Sequence, residues 1–164
     1  DELSALVLFT SWRQMLRVLD EVDEDFRKRV LVQGDLAKHE ILTRHRKRID
    51  DNESSCIFGL ASFAEGVDLP GDYCRHVVIA KLPFSVPDDP VDATLSEWIE
   101  SRGGNSFYDL MLPNAALRVV QAAGRLLRTE TDSGSVSILD RRLLTKPYGK
   151  LLISALPPFR REFH

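Results

Sequence analysis

Several of the features that usually place a new sequence are missing from this one. It has two cysteines, Cys56 and Cys74, at no metal-ligand spacing, so neither a disulfide framework nor a zinc ribbon can be built, and a reducing cytosolic setting is expected. No apolar run approaches the roughly 18 residues of a membrane span, so no membrane partner is expected. The formal net charge of -3 provides no broad basic field, and any contact with nucleic acid has to be local. His39, His45, His76 and His164 are scattered, with no Ser-His-Asp or Cys-His arrangement around them. His39 and His45 fall in a polar helical stretch and are expected at the surface. The opening DELSALVLFT lacks the order of a signal peptide, and there is no initiator Met, so a piece of a longer protein is expected.

What remains is an alternation of strand and helix. LSALVLFT (3–10) is a continuous apolar run, as suits a parallel strand covered on both faces. Helical spacing follows over 12–22, a short strand over 29–34 and a polar helix over 35–51 that opens on Asp35. Strands are expected over 54–60 and 75–84, helices over 93–103 and 115–129, a strand over 134–143 and a final helix over 143–156 with Pro147 in its first turn. Between them KLPFSVPDDPVD (81–92), with three prolines and three aspartates, reads as a long loop. The alternation implies an α/β domain with a mainly parallel central sheet and helices on both faces. One domain is expected over 1–156, with a tail over 157–164.

Three stretches carry chemistry. SFAEGVDLPG (62–71) follows a strand, where open α/β sheets bind ligands. Gly66 permits close backbone approach there, and Glu65 and Asp68 offer acceptors; an ordinary tight turn explains the same letters equally well. In QAAGRLLRT (121–129), helical geometry puts Gln121, Arg125 and Arg128 within roughly 60° of arc, opposite Val119, Ala122, Ala123, Leu126 and Leu127. Gly124 inside a helix costs about 1 kcal/mol relative to alanine, which a close neighbour has to offset. Two guanidinium forks and an amide suit a polyphosphate, and ion pairs with nearby carboxylates are the plainer alternative. Thr10 and Ser11 in FTSWRQ (9–14) stand at a strand-to-helix junction and either cap the helix or hold a phosphate; the same choice applies to Gln33 and Gly34. Trp12 is either a buried aromatic or a stacking partner for a base.

Taken together, LVLFTSW (6–12), LASFAEGVDLPG (60–71) and QAAGRLLR (121–128) resemble motifs IV, V and VI of the second RecA-like motor domain of superfamily 2 helicases, in that order and at that spacing. FAEGVDLPG, the KLPF loop and DRRLLTKPYGK resemble the DinG/YoaA branch of the iron–sulphur, XPD-like DNA helicases. The resemblance implies a RecA-like three-layer fold. It implies that Gln121 and Arg125 contact the terminal phosphates of ATP across an interdomain cleft, with Arg128 as arginine finger and Gly124 beside them. It places Glu65, Gly66 and Asp68 near the nucleotide, and Thr10, Ser11, Gln33, Gly34, Ser62 and Phe63 along single-stranded DNA. It further implies an ATP-dependent 5′–3′ DNA helicase of DNA repair or replication, in the bacterial cytoplasm at the nucleoid. Its partners would be an N-terminal motor in the same protein and a DNA polymerase III accessory subunit or single-stranded-DNA-binding protein.

The sequence contains no G-x-x-x-x-G-K-[ST] loop and no D-E-A-H-type motif for Mg2+, and a [4Fe-4S] cluster needs four thiolates where this chain has two. These parts would belong to the N-terminal motor, and the chain by itself is expected to be inactive. Its own residues hold no metal in this reading. The rival readings are a non-catalytic nucleic-acid-binding α/β module, which would use the basic stretch RHRKR (44–48), and a partner-docking platform built on the 81–92 loop and the helix around Trp98.

Overall fold

A computed structural model describes residues 4–84, 90–125 and 132–163. The described residues form two compact units, one of residues 1–81 with 122–140, the other of 82–121 with 141–164.

The first unit is built on five parallel strands, β1 (Ser4–Phe9), β2 (Val30–Val32), β3 (Ser55–Leu60), β4 (His76–Ile79) and β5 (Ser135–Ile138), in the order β2-β3-β1-β4-β5. β1 is the centre, pairing Val7 with Phe58 of β3 on one side and with Val78 of β4 on the other. Its expected continuous apolar character follows from that position: Leu6, Leu8 and Phe9 are all buried. The helices are α1 (Trp12–Glu21), α2 (Glu24–Arg29) and α3 (Lys38–Asp50). Met15 of α1 packs with Phe9, Val30, Val32, Cys56 and Phe58, and burying a side chain of this size stabilises the fold by about 1.5–3 kcal/mol. The expected α/β class with a parallel sheet and helices is what the chain adopts.

The second unit holds α4 (Pro90–Ser101), a π turn (Phe107–Met111), most of α5 (Leu112–Ala123), α6 (Arg142–Thr145) and α7 (Gly149–Ala155). Phe84, Phe107 and Tyr148 pack edge and tilt against one another with ring centroids 5.1–5.5 Å apart. Among the described residues no helix is long and apolar enough to cross a membrane.

Boundaries differ from expectation where prolines and caps act. The strand expected to Phe84 stops at Ile79, ahead of Pro83, which has no N–H for a ladder. The expected last helix is two, because Lys146 before Pro147 is forced extended (φ -104°, ψ 145°). The polar helix begins at Lys38, behind Ala37, and not at Asp35. Helix α4 starts at Pro90, inside the stretch read as loop, and residues 85–89 lie outside the described ones. Helix α5 is entered through the π turn, since Pro113 has no N–H to return to the preceding turn. Helix α2 is too short to show periodicity, yet it is capped by Asp23, whose carboxylate accepts from the Phe26 N–H at 2.7 Å.

Candidate functional site

Because every strand is parallel, the segments after β1, β2 and β3 emerge at one edge of the sheet. This gathers Thr10 and Ser11, Gln33 and Gly34, and Ser62 and Phe63 at the carboxyl ends of adjacent strands. Their side chains have different duties. Ser11 caps α1, its hydroxyl accepting from the Gln14 N–H at 3.2 Å. Thr10 is exposed, with its hydroxyl 3.5 Å from the Gln14 side-chain oxygen. The Gln33 side-chain oxygen accepts from the Leu60 N–H at 2.7 Å, tying the ends of β2 and β3 together. Ser62 is exposed in the 3-10 turn Ala61–Ala64. Phe63 is 4% exposed, and its ring lies 2.9 Å from where a Cβ on Gly59 would stand, so it serves as core beneath the turn.

The loop after this turn is held by its backbone. Lys38 donates to the carbonyl of Glu65, Arg125 to that of Val67 at 2.8 Å and Arg46 to that of Asp68 at 2.6 Å. Three cations from distant points in the sequence thus fix carbonyls of one short loop, while the carboxylate-bearing residues Glu65 and Asp68 stay exposed. Gly66 has φ +70° with open space where a Cβ would stand, so glycine is needed here for its conformation. A ligand can approach the loop from that open side.

Arg125 was expected on a helix. Helix α5 ends at Ala123, and Gly124 and Arg125 form the turn after it, closed by the Arg125 N–H on the Ala122 carbonyl at 3.1 Å. The expected cost of a glycine inside a helix therefore does not arise at Gly124. Val119, Ala122 and Ala123 are buried as expected, and Gln121 is exposed. Arg128, Leu126 and Leu127 lie outside the described residues.

His45 corrects the surface expectation. It is fully buried on the face of α3 that carries Ile41 and Ile49. Its Nε2 lies 2.7 Å from the Tyr73 carbonyl, which can only accept, so Nε2 carries the proton. Nδ1 then accepts from the Ser55 hydroxyl at 2.8 Å. Burial, helped by Arg48 and Arg46, pushes the His45 pKa down despite the opposing pull of the carbonyl. Three cations of the basic run RHRKR have partners within the chain: Arg44 pairs with Glu40 at 2.7 Å, Arg46 reaches the loop, and Arg48 donates to the Arg29 carbonyl at 3.2 Å.

Cys56 and Cys74 are buried free thiols. Burial first, and Cys74 beside it second, push the Cys56 thiol up to about 12, the opposite of what a nucleophile or thiolate ligand requires. Among the described residues no group of three or more His, Cys, Asp or Glu could hold a metal ion. With two cysteines in its sequence, the chain cannot by itself supply the four thiolates of a [4Fe-4S] cluster.

That Lys38 and Arg46 hold this loop is not legible in the sequence, because nothing local marks a basic side chain whose partner carbonyl lies 27 or 22 positions away.

Known proteins share the sequence and the fold of this chain. Residues 2–159 match the family described as Helicase C-terminal domain. The ATP-dependent DNA helicase DinG of Photobacterium profundum is 44% identical over 98% of this chain and 24% of its own length. The protein of the same name in Escherichia coli is 46% identical over 96% of this chain and 22% of its own length. The chain thus spans about a quarter of the length of these relatives. Among solved structures, apo XPD superposes with a TM-score of 0.71 at 25% identity, over 92% of this chain and 30% of that one. An XPD helicase structure superposes at 0.69 and 23% identity, over 93% of this chain and 27% of that one. With a family match across nearly its whole length and a RecA-like parallel sheet that XPD shares, the chain belongs to the helicase C-terminal domain family, in its DinG/XPD-like superfamily 2 branch.

Proposed function

We propose that this chain is the second RecA-like motor lobe of an ATP-dependent DNA helicase, with residues 1–156 as the lobe and 157–164 as its tail. The observation that carries the reading is the hydrogen bond from Arg125 to the Val67 carbonyl, which joins the stretch resembling motif VI to the loop resembling motif V. Arg125 and Arg128, with Gln121, would address the terminal phosphates of an ATP bound with Mg2+ mainly by an N-terminal motor elsewhere in the intact protein. ATP supplies the phosphoanhydride bond whose hydrolysis drives movement. The chain's own contribution is positive charge at the transferring phosphoryl group, where charge develops in the transition state.

The exposed carboxylates of Glu65 and Asp68 and the open side of Gly66 would lie towards the nucleotide. A change there is passed along a loop whose carbonyls are pinned by Lys38, Arg125 and Arg46 to the turn bearing Ser62. Thr10, Ser11, Gln33, Gly34 and Ser62 would follow the backbone of single-stranded DNA, with Phe63 supporting their turn from below. Closing and opening of the two lobes would ratchet the strand 5′ to 3′, in DNA repair or replication. A [4Fe-4S] cluster would belong to the rest of the intact protein. A DNA polymerase III accessory subunit or a single-stranded-DNA-binding protein would be its partner in the bacterial cytoplasm.

The test is DNA-stimulated ATP hydrolysis by the intact protein, with DNA affinity measured on the same samples. Arg128→Ala is expected to lower kcat by about 10³–10⁵-fold and leave single-stranded DNA affinity in place. Unchanged turnover would remove the arginine-finger assignment and the mechanism resting on it.

A further inference from the structure

We propose that Trp12 is a base-stacking platform for single-stranded DNA and that Gly34 exists to seat it. The inference rests on the reading of this chain as the DNA-contacting motor lobe.

Trp12 is the first residue of α1, directly after the Ser11 cap, so its backbone is fixed by the cap hydrogen bond to Gln14. It is nonetheless 45% exposed, an unusual placement for the largest apolar side chain in the unit's first helix. The distal edge of its six-membered ring packs on Gly34: Cη2 and Cζ3 stand 3.2 and 3.4 Å from where a Cβ on Gly34 would be. Gly34 also has φ +99°, a conformation that L side chains rarely adopt. Residue 34 is therefore reserved for glycine twice, once by its backbone and once by the indole lying on it.

The consequence is an aromatic ring braced at one edge and nearly half exposed, at the end of the sheet where β1 and β2 stop. Thr10 is exposed immediately before it, and Ser62 is exposed after β3 at the same edge. A braced ring loses little freedom on stacking, and every base offers a π face, so such a contact is indifferent to sequence. It also supplies affinity that the chain's net charge of -3 does not. Gly34 thereby acquires a role beside its place along the strand: it holds the platform in place.

The intact protein is titrated with oligothymidylate and with an abasic deoxyribose-phosphate strand of the same length. Trp12→Ala is expected to weaken oligothymidylate binding roughly 10-fold or more and to leave both abasic-strand binding and the salt slope unchanged. Trp12→Phe should recover most of the loss, since a phenyl ring still stacks. Gly34→Ala should weaken oligothymidylate binding by itself, and by a smaller factor when Trp12 is already alanine; an undiminished factor overturns the seating role. Equal weakening of both strands by Trp12→Ala, or no weakening of either, overturns the platform while leaving the helicase reading standing. Wild-type protein that ignores both strands overturns the helicase reading, and this inference with it.

Discussion

The two edges of the central sheet use the same kinds of residue in opposite ways. At the amino edge, Ser4 opens β1 and Ser55 opens β3 in register with it. Both hydroxyls are buried and engaged, Ser4 with the Asp72 carbonyl and the Arg75 N–H, Ser55 with His45. His45 completes the seam by donating to the Tyr73 carbonyl. At the carboxyl edge, Thr10, Ser11 and Ser62 are exposed, and so are Glu65 and Asp68, on a loop whose carbonyls are held by Lys38, Arg125 and Arg46. A buried polar group must be satisfied inside the protein, because leaving it unpaired costs about 1–3 kcal/mol. One edge spends its polar groups on folding. The other fixes the carbonyls of its loop and leaves Thr10, Ser11, Ser62, Glu65 and Asp68 exposed.

The largest stability effect should come from breaking the amino edge. His45→Ala leaves a cavity and two deserted partners, Ser55 and the Tyr73 carbonyl, for an expected loss of about 2–4 kcal/mol. Hydrogen exchange on the intact protein should show protection falling across α3 and β3.

The same edge should respond to acid. His45 is held neutral with its pKa below 6.5, so the unfolded chain binds a proton more readily than the folded one. Its contribution is fully present above about pH 6.5 and is lost as pH falls from there through the lower folded value. Protection of α3 should drop as pH falls below about 6.5 in the wild type and become less pH-dependent in His45→Ala. An unchanged slope would mean that another group sets it.

At the carboxyl edge the expected effect on folding is smaller. Gly66→Ala meets no atom within 4 Å, so it isolates the strain of φ +70° at about 1–2 kcal/mol. A loss in DNA-stimulated turnover beyond that stability change would sharpen the contrast between the edges. An equal loss at both would erase it.

The ease of reading these two regions differed for a physical reason. The carboxyl-edge loops were legible because glycine at a turn, hydroxyls at strand-to-helix junctions and an arginine beside a small-residue stretch leave local marks: Gly66, Ser11 and Arg125 stand out in the sequence, although Arg125 reads there as part of the helix that ends at Ala123. The amino edge left none. His45 sits in RHRKR, where four cations hide the single buried position. Its register with Ile41 and Ile49 is an i, i+4 pattern too sparse to outweigh them. Helix α2 and the break at Pro147 were missed for the opposite reason: the signals are local, but each covers only a few residues.

By itself, then, the sequence determined which segments become strands and helices, their order, and the stretches that place the chain in its family, since periodicity, capping and turn chemistry act over a few residues. The tertiary structure decided which distant groups meet. Lys38, Arg46 and Arg125 converge on one loop, His45 turns inward to Ser55 and Tyr73, and Trp12 comes to rest on Gly34. These pairings depend on the strand order β2-β3-β1-β4-β5, which brings together segments that no local pattern connects.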